Sequence, residues 1–236
     1  MECNICGSVT FRDMKKRLNV RCAKCGSLER TRLLWLYLDH SGHLREHRRV
    51  MHFAPEFGLG EKIKSIVGDN YYHAYDIDPR LYPKTANVQR FDLTTDIEAI
   101  ESESVDLIIH CHVLEHIPCT MAHTLFHMHR ILKTDGLHAC VIPISPGRWD
   151  ESFDPALSDS DRQKRFGQHD HVRRIGKLDI QSTLGKIIDI EPYLTFDATR
   201  DFPQETLKRF NIPESHWYGL TFGTPLLLSK AAYRLR

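Results

Sequence analysis

Between Val50 and Glu115 the chain repeats one pattern, an apolar run that closes on a turn or a polar residue. The first run, Val50-Met51-His52-Phe53-Ala54, passes into the turn Pro55-Glu56-Phe57-Gly58-Leu59-Gly60. Later runs end at Tyr75-Asp76, at Arg90-Phe91-Asp92 and at Val105-Asp106-Leu107-Ile108-Ile109-His110. Runs without alternation are the mark of strands buried on both faces, as in a parallel sheet. Strands are therefore expected near 49–54, 71–76, 86–91, 105–110 and 137–144, with helical segments between most of them. Two further candidates follow a long polar stretch, Ile187-Ile188-Asp189-Ile190 and Leu226-Leu227-Leu228. The order predicts an α/β protein with a doubly wound, mostly parallel seven-stranded sheet and an antiparallel edge. Such sheets aim the side chains at their strand ends into one crevice, so a ligand carrying a ribose is the first expectation.

The first 26 residues carry another pattern. Cys3-Asn4-Ile5-Cys6-Gly7 and Cys22-Ala23-Lys24-Cys25-Gly26 repeat one C-x-x-C-G unit, with 15 residues between the pairs. Two such knuckles supply four thiolates, the donor set of a closed structural zinc site, with Cys3, Cys6, Cys22 and Cys25 as ligands. Iron in a rubredoxin-like site is the competing reading. A segment this short builds no core alone, so metal binding would be most of its folding energy. Between the knuckles, residues 11–21 hold five Lys and Arg against one Asp, a surface that would suit RNA or simply stay solvated. Ser27 is placed to cap a helix over residues 28–38, with Arg30 and Arg32 facing solvent or, alternatively, reaching an anionic ligand. The division expected is 1–26 as a zinc-binding module, 27–47 as a docking helix and linker, and 48–236 as the main domain.

Charge excludes little: 32 Lys and Arg face 31 Asp and Glu in 236 residues, a balance unlike that of a strongly basic nucleic-acid binder. Seven Cys, four of them in knuckles, fit a reducing compartment, and Cys111, Cys119 and Cys140 read as buried, inert thiols. With no apolar run long enough to span a bilayer and no signal-peptide order at the N-terminus, a cytoplasmic protein is expected.

Over roughly residues 48–230 these motifs resemble, in order, the class I S-adenosylmethionine-dependent methyltransferases, including a subgroup with an N-terminal zinc knuckle pair. The resemblance implies that Asp76, 18 residues after Gly58, holds the ribose hydroxyls of S-adenosyl-L-methionine. It assigns Asp92 to the adenine amino group and the Leu93 backbone to the adenine ring. His110 would face the cofactor from the end of the fourth strand. In the glycine-rich loop, His52 stands in place of the usual acid, Ala54 in place of the first Gly and Glu56 in place of the second, and only Gly58 matches. Glu56 would then bind the cofactor's amino group.

Methyl transfer from a sulfonium needs positioning above all, with a base where the acceptor is a hydroxyl. His112 qualifies by position, as do His110 and His116. The segment Arg165-Phe166-Gly167-Gln168-His169-Asp170-His171-Val172-Arg173-Arg174 is similar to an element that some members place over the active site. There His169 or His171 would be the base, tuned by Asp170, and Arg173 would hold an anionic acceptor. Residues 146–155 read as a mobile loop whose aromatics cover the substrate. The function expected is methyl transfer to a small-molecule or saccharide-like acceptor at oxygen. The alternatives are an RNA methyltransferase gripped by the basic module, or a non-catalytic scaffold.

Overall fold

A computed structural model describes residues 1–14 and 17–234. Its strands are β1 Phe11–Met14, β2 Arg17–Cys22, β3 Val50–Phe53, β4 Tyr72–Asp76, β5 Gln89–Arg90, β6 Val105–Cys111, β7 Leu132–Val141, β8 Ile144–Ser145, β9 Asp150–Glu151, β10 Arg173–Gly176 and β11 Pro225–Ser229. The longer helices are α1 Glu29–His40, α2 Phe57–Val67, α3 Met121–Ile131 and α4 Asp159–Phe166. Three short ones follow, α5 Glu191–Leu194, α6 Ala198–Asp201 and α7 Gln204–Arg209. No helix among the described residues is long and apolar enough to cross a membrane.

The central sheet runs β11-β7-β6-β3-β4-β5, parallel throughout except for β11, which lies antiparallel to β7 at one edge. This is the doubly wound, mostly parallel α/β arrangement with an antiparallel edge that the sequence predicts. Every residue of β3 and β6 is buried, which is why their sequences show no alternation. Side-chain alternation still sorts the two faces: Leu107 and Ile109 pack with Leu34, Trp35, Leu59 and Ile63 of α1 and α2, and Ile108 packs with Leu125, Met128 and Ile131 of α3.

The sheet has six strands, not the seven expected. Residues 187–190 form no strand, because the amide of Ile188 turns back to the carbonyl of Leu184, and Ile188 makes only an isolated bridge to Tyr233. Pro192 then opens α5. The third strand is shorter than expected at two residues, since Lys84–Ala86 form a 3-10 turn that ends on the left-handed Asn87.

The N-terminal module is a β1-β2 hairpin between the two knuckles, and its Cys3, Ile5 and Cys22 share a core with α1, α2 and the sheet. Lys15 and Lys16 of its basic stretch lie outside the described residues. Arg17 is drawn to Glu29 at 2.8 Å. Helix α1 is buried nearly all round, because Leu33 and Leu36 meet Phe202, Leu207 and Trp217 on the side away from the sheet. That overturns the expectation that Arg32 faces solvent. Its guanidinium is fully buried and donates to the carbonyls of Val20, Ser27, Phe210 and Asn211 at 2.8–3.1 Å. Burial lowers its pKa, and the sulfurs of Cys3, Cys22 and Cys25 oppose that shift together with Glu29. Ser27 does not cap the helix. Its hydroxyl sits 3.2 Å from the Cys3 sulfur and 3.3 Å from that of Cys25, and Thr31 caps the Leu28 amide instead.

Candidate active site

Strand order reverses between β3 and β6, and a cleft of about 400 Å³ opens at the carboxyl ends of β3, β4, β5 and β6. Ala54, Asp76, Asp92 and Leu93 all line it. Asp76 is held before any ligand arrives: its Oδ1 accepts from the Asp78 amide at 2.8 Å and its Oδ2 from the Tyr82 hydroxyl at 2.6 Å. Burial and the Asp76 carboxylate push the Tyr82 phenol up, so the hydroxyl stays a donor. Asp92 accepts from the Thr94 amide at 2.9 Å and from the Thr94 hydroxyl at 2.6 Å. Ala54 takes φ of 48°, the left-handed turn for which glycine is the usual choice, so the chain bends sharply against the cleft without one.

Three residues expected to bind the cofactor do not line this cleft. Glu56 precedes the first turn of α2 and turns to α1, where its Oε1 accepts from the Thr31 hydroxyl at 2.7 Å and Arg30 stands 3.9 Å away. Gly58 backs onto the cysteine module. A Cβ there would meet the Cys25 Cβ at 2.4 Å and the Cys25 carbonyl oxygen at 2.8 Å, so close packing explains this glycine. His110 is completely buried one residue before β6 ends, and its Nε2 lies 2.9 Å from Nε2 of His138 on β7. His52, which stands where the family acid would be, is likewise buried and bonds the Tyr72 hydroxyl at 2.9 Å.

The other wall of the cleft follows β6. His112, His116 and Asp170 line it. His112 adopts φ of 56°; its Nε2 lies 2.8 Å from the Phe222 carbonyl, and its Nδ1 3.5 Å from Oε1 of Glu115. Burial pushes the His112 pKa down to about 3, so its imidazole is neutral. Glu115 is only 1% exposed, neither carboxylate oxygen has a hydrogen-bond partner among the described residues, and burial raises its pKa to about 8. The reading from sequence passed over Glu115. The available signal was His112-x-x-Glu115-His116, a carboxylate between two imidazoles directly after a mostly apolar, fully buried strand.

The segment 165–174 divides. His171 stands edge-on to His116 with ring centroids 4.6 Å apart, whereas His169 is exposed. Asp170 Oδ2 lies 3.3 Å from Nδ1 of His116, and its charge also opposes the burial that lowers the His171 pKa. Arg173 cannot hold an acceptor as expected. It is 1% exposed, and its guanidinium donates to the carbonyls of Leu114 and Cys119 and to Glu151, tying the turn after β6 to the small sheet β8-β10-β9. Residues 146–155 are pinned as well: Asp150 pairs with Arg165 at 2.7 Å, and the Trp149 amide donates to Asp179 at 2.9 Å.

At the N-terminus the four knuckle cysteines gather their sulfurs within 4.8 Å of one another, with Cys3 and Cys25 at 3.6 Å and Cys6 and Cys22 at 3.5 Å. Tetrahedral zinc with bonds of about 2.3 Å requires edges of about 3.8 Å, so the donor set fits such an ion. Of the remaining thiols, Cys111 and Cys140 are buried as expected and Cys119 is partly exposed.

The family described as Methyltransferase domain matches residues 57–140, from the start of α2 to the penultimate residue of β7. A methyltransferase domain match over these residues supports an enzyme of that kind. No curated protein matches it in sequence. Among solved structures, the chain is similar to a Galdieria sulphuraria protein provisionally named a sarcosine dimethylglycine methyltransferase, at 17% identity and TM-score 0.41 over 60% of this chain and 55% of that one. It is similar to the YcgJ protein of Bacillus subtilis at 16% identity and TM-score 0.46, over 77% of this chain and 78% of that one. A third is a SAM dependent methyltransferase of Archaeoglobus fulgidus, at 12% identity and TM-score 0.46, over 82% and 91% of the two chains. The chain thus spans little more than half the length of the first of these.

Proposed function

We propose that the protein transfers a methyl group from S-adenosylmethionine to a small-molecule or saccharide-like acceptor, at oxygen. One observation carries the reading: a single cleft in a methyltransferase domain has two carboxylates at strand ends on one wall and imidazoles on the other. The cleft suits the cofactor, since its volume lies within the range of small-ligand pockets and Asp76 offers a fixed acceptor for a vicinal diol. Bound there, the cofactor supplies an electrophilic methyl group on sulfur. Asp76, Asp92 and the Leu93 backbone would hold its nucleoside, and Ala54 would bring the loop backbone against its remainder. His112 and His116 would face the acceptor. Of the candidate bases, the neutral His112 stands at the cleft, His171 stands behind His116, and His169 would act only from the rim. An RNA acceptor gains no support from Arg17, which is committed to Glu29.

Calorimetry with S-adenosylhomocysteine, followed by transfer of labelled methyl to a panel of hydroxylated acceptors, tests this reading. Micromolar binding together with labelled product is expected. A chain that binds no cofactor at millimolar concentration is the scaffold protein instead, and label found only in RNA would move the acceptor to that class.

We further propose that Cys3, Cys6, Cys22 and Cys25 hold structural zinc, with the buried Arg32 offsetting the charge of the thiolates. Cys22→Ser removes one ligand, and Gly58→Ala forces the Cys25 backbone aside. Both are expected to lower the zinc content of the purified chain and to cost about 1–3 kcal/mol of stability. Full zinc retention by Cys22→Ser in elemental analysis would contradict the four-thiolate site.

A further inference from the structure

We propose a second metal site, for a divalent first-row transition ion, held by Glu115, His116 and His171 at the acceptor side of the cleft. Each of the three offers one ligand atom, and these atoms lie within 4.8 Å of one another. The carboxylate of Glu115 points to a ligand. It is 1% exposed, and neither of its oxygens has a partner among the described residues, a costly state for a group removed from water. Oε1 of Glu115 sits 4.0 Å from Nε2 of His116, a separation that one bound ion can bridge.

The surroundings of the imidazoles agree. His116 turns Nδ1 to Asp170 Oδ2 at 3.3 Å, which leaves Nε2 directed at Glu115. A carboxylate behind the far nitrogen of a histidine fixes its tautomer and is the usual support of a metal ligand. His171 places Nδ1 3.4 Å from the Phe166 carbonyl, so Nε2 carries the free lone pair there as well. His112 adds a third imidazole, with Nε2 against the Phe222 carbonyl at 2.8 Å and Nδ1 3.5 Å from the same carboxylate. The Val172 amide donates to the Glu115 carbonyl at 3.0 Å, so the two segments that supply the donors are joined by backbone.

Two imidazoles and one carboxylate, with positions left open, suit Mn²⁺, Fe²⁺ or Zn²⁺ rather than an all-oxygen Mg²⁺ site. The ion would adjoin the cleft, because His112, His116 and Asp170 line it. One consequence rests on the methyl-transfer reading above: an oxygen of the acceptor would fill an open position, which selects acceptors with a hydroxyl or carbonyl able to ligate.

Mn²⁺ added to the chain as purified, with zinc left in the cysteine cluster, tests the site by loss of the free-ion signal in electron paramagnetic resonance. One Mn²⁺ per chain is expected, with affinity about tenfold or more weaker in Glu115→Gln and in His171→Gln. Asp76→Ala is to bind Mn²⁺ as the wild type does, although its affinity for S-adenosylhomocysteine falls, so failure of the metal site and failure of the cofactor reading are read separately. Thermal melting with and without Mn²⁺ covers a variant that folds poorly: the wild type is to gain stability from the ion, and Glu115→Gln is not. The proposal is overturned if the wild type takes up no Mn²⁺, Co²⁺ or Zn²⁺ beyond the ion of the four thiolates, or if both variants bind as tightly as the wild type.

Discussion

Asp76→Ala is expected to weaken the affinity for S-adenosylhomocysteine by about 3 kcal/mol, roughly 150-fold. The carboxylate ends β4 at the cleft, and its two oxygens are fixed by the Asp78 amide and the Tyr82 hydroxyl at 2.8 and 2.6 Å. Because the acceptor is positioned beforehand, little side-chain entropy is lost when a diol arrives, and the hydrogen bonds to a charged group count nearly in full. Tyr82→Phe removes one support but leaves the carboxylate, so a smaller loss of about 1 kcal/mol, or fivefold, is expected. Asp78→Ala changes the same net charge two residues away and is expected to leave affinity near that of the wild type. Unchanged binding by Asp76→Ala would place the ribose elsewhere. Calorimetry at neutral pH separates all three outcomes.

Acid is expected to destabilise the fold steeply, beginning near pH 6.5. His52 and His138 are fully buried, and burial drives both to a pKa of about 3; His110 is pushed well below the usual value for the same reason and by the neighbouring His138. Unfolded, each would titrate near 6.5. The folded pKa is therefore depressed, so their contribution is fully present above pH 6.5 and is lost as pH falls from there toward 3. At pH 5 the loss is about 2 kcal/mol for each of His52 and His138, a large share of the 5–15 kcal/mol that ordinarily holds a domain together. If the cysteine cluster holds zinc as proposed, acid would release it too, and one variant separates the two effects. His52→Gln does not titrate, so it should reduce the slope of unfolding free energy against pH by an amount that rises to about 1.3 kcal/mol per unit at pH 5. Urea denaturation at several pH values between 7.5 and 5 measures that slope; equal slopes for variant and wild type would mean that His52 is protonated in the fold.

The two halves of the site differ in how far they can be read from residues alone. Asp76 and Asp92 follow apolar runs, and any parallel sheet carries such residues to its crevice, so their place at the cleft needed only local pattern and strand order. The knuckle cysteines are equally plain, because a C-x-x-C-G unit sets its own turn. Glu56 and Gly58 misled because their environment is made by α1 and by Cys25, which approach from outside the motif. Arg32 and Arg173 have the composition of surface residues, yet each is buried against backbone carbonyls supplied largely by distant segments. Residues 187–190 have the composition of a strand, yet the Ile188 amide turns back to the Leu184 carbonyl and only an isolated bridge to Tyr233 forms.

The sequence by itself therefore determined the order of the sheet's first five strands, the four-cysteine cluster and the acids Asp76 and Asp92 at the cleft. These depend on the period of apolar residues and on short-range turns, both of which are local. The tertiary structure decided which charges lie buried, why Gly58 is glycine, and that Glu115 meets His116 and His171. Those depend on desolvation and on contacts between segments far apart in the chain, which no local pattern encodes.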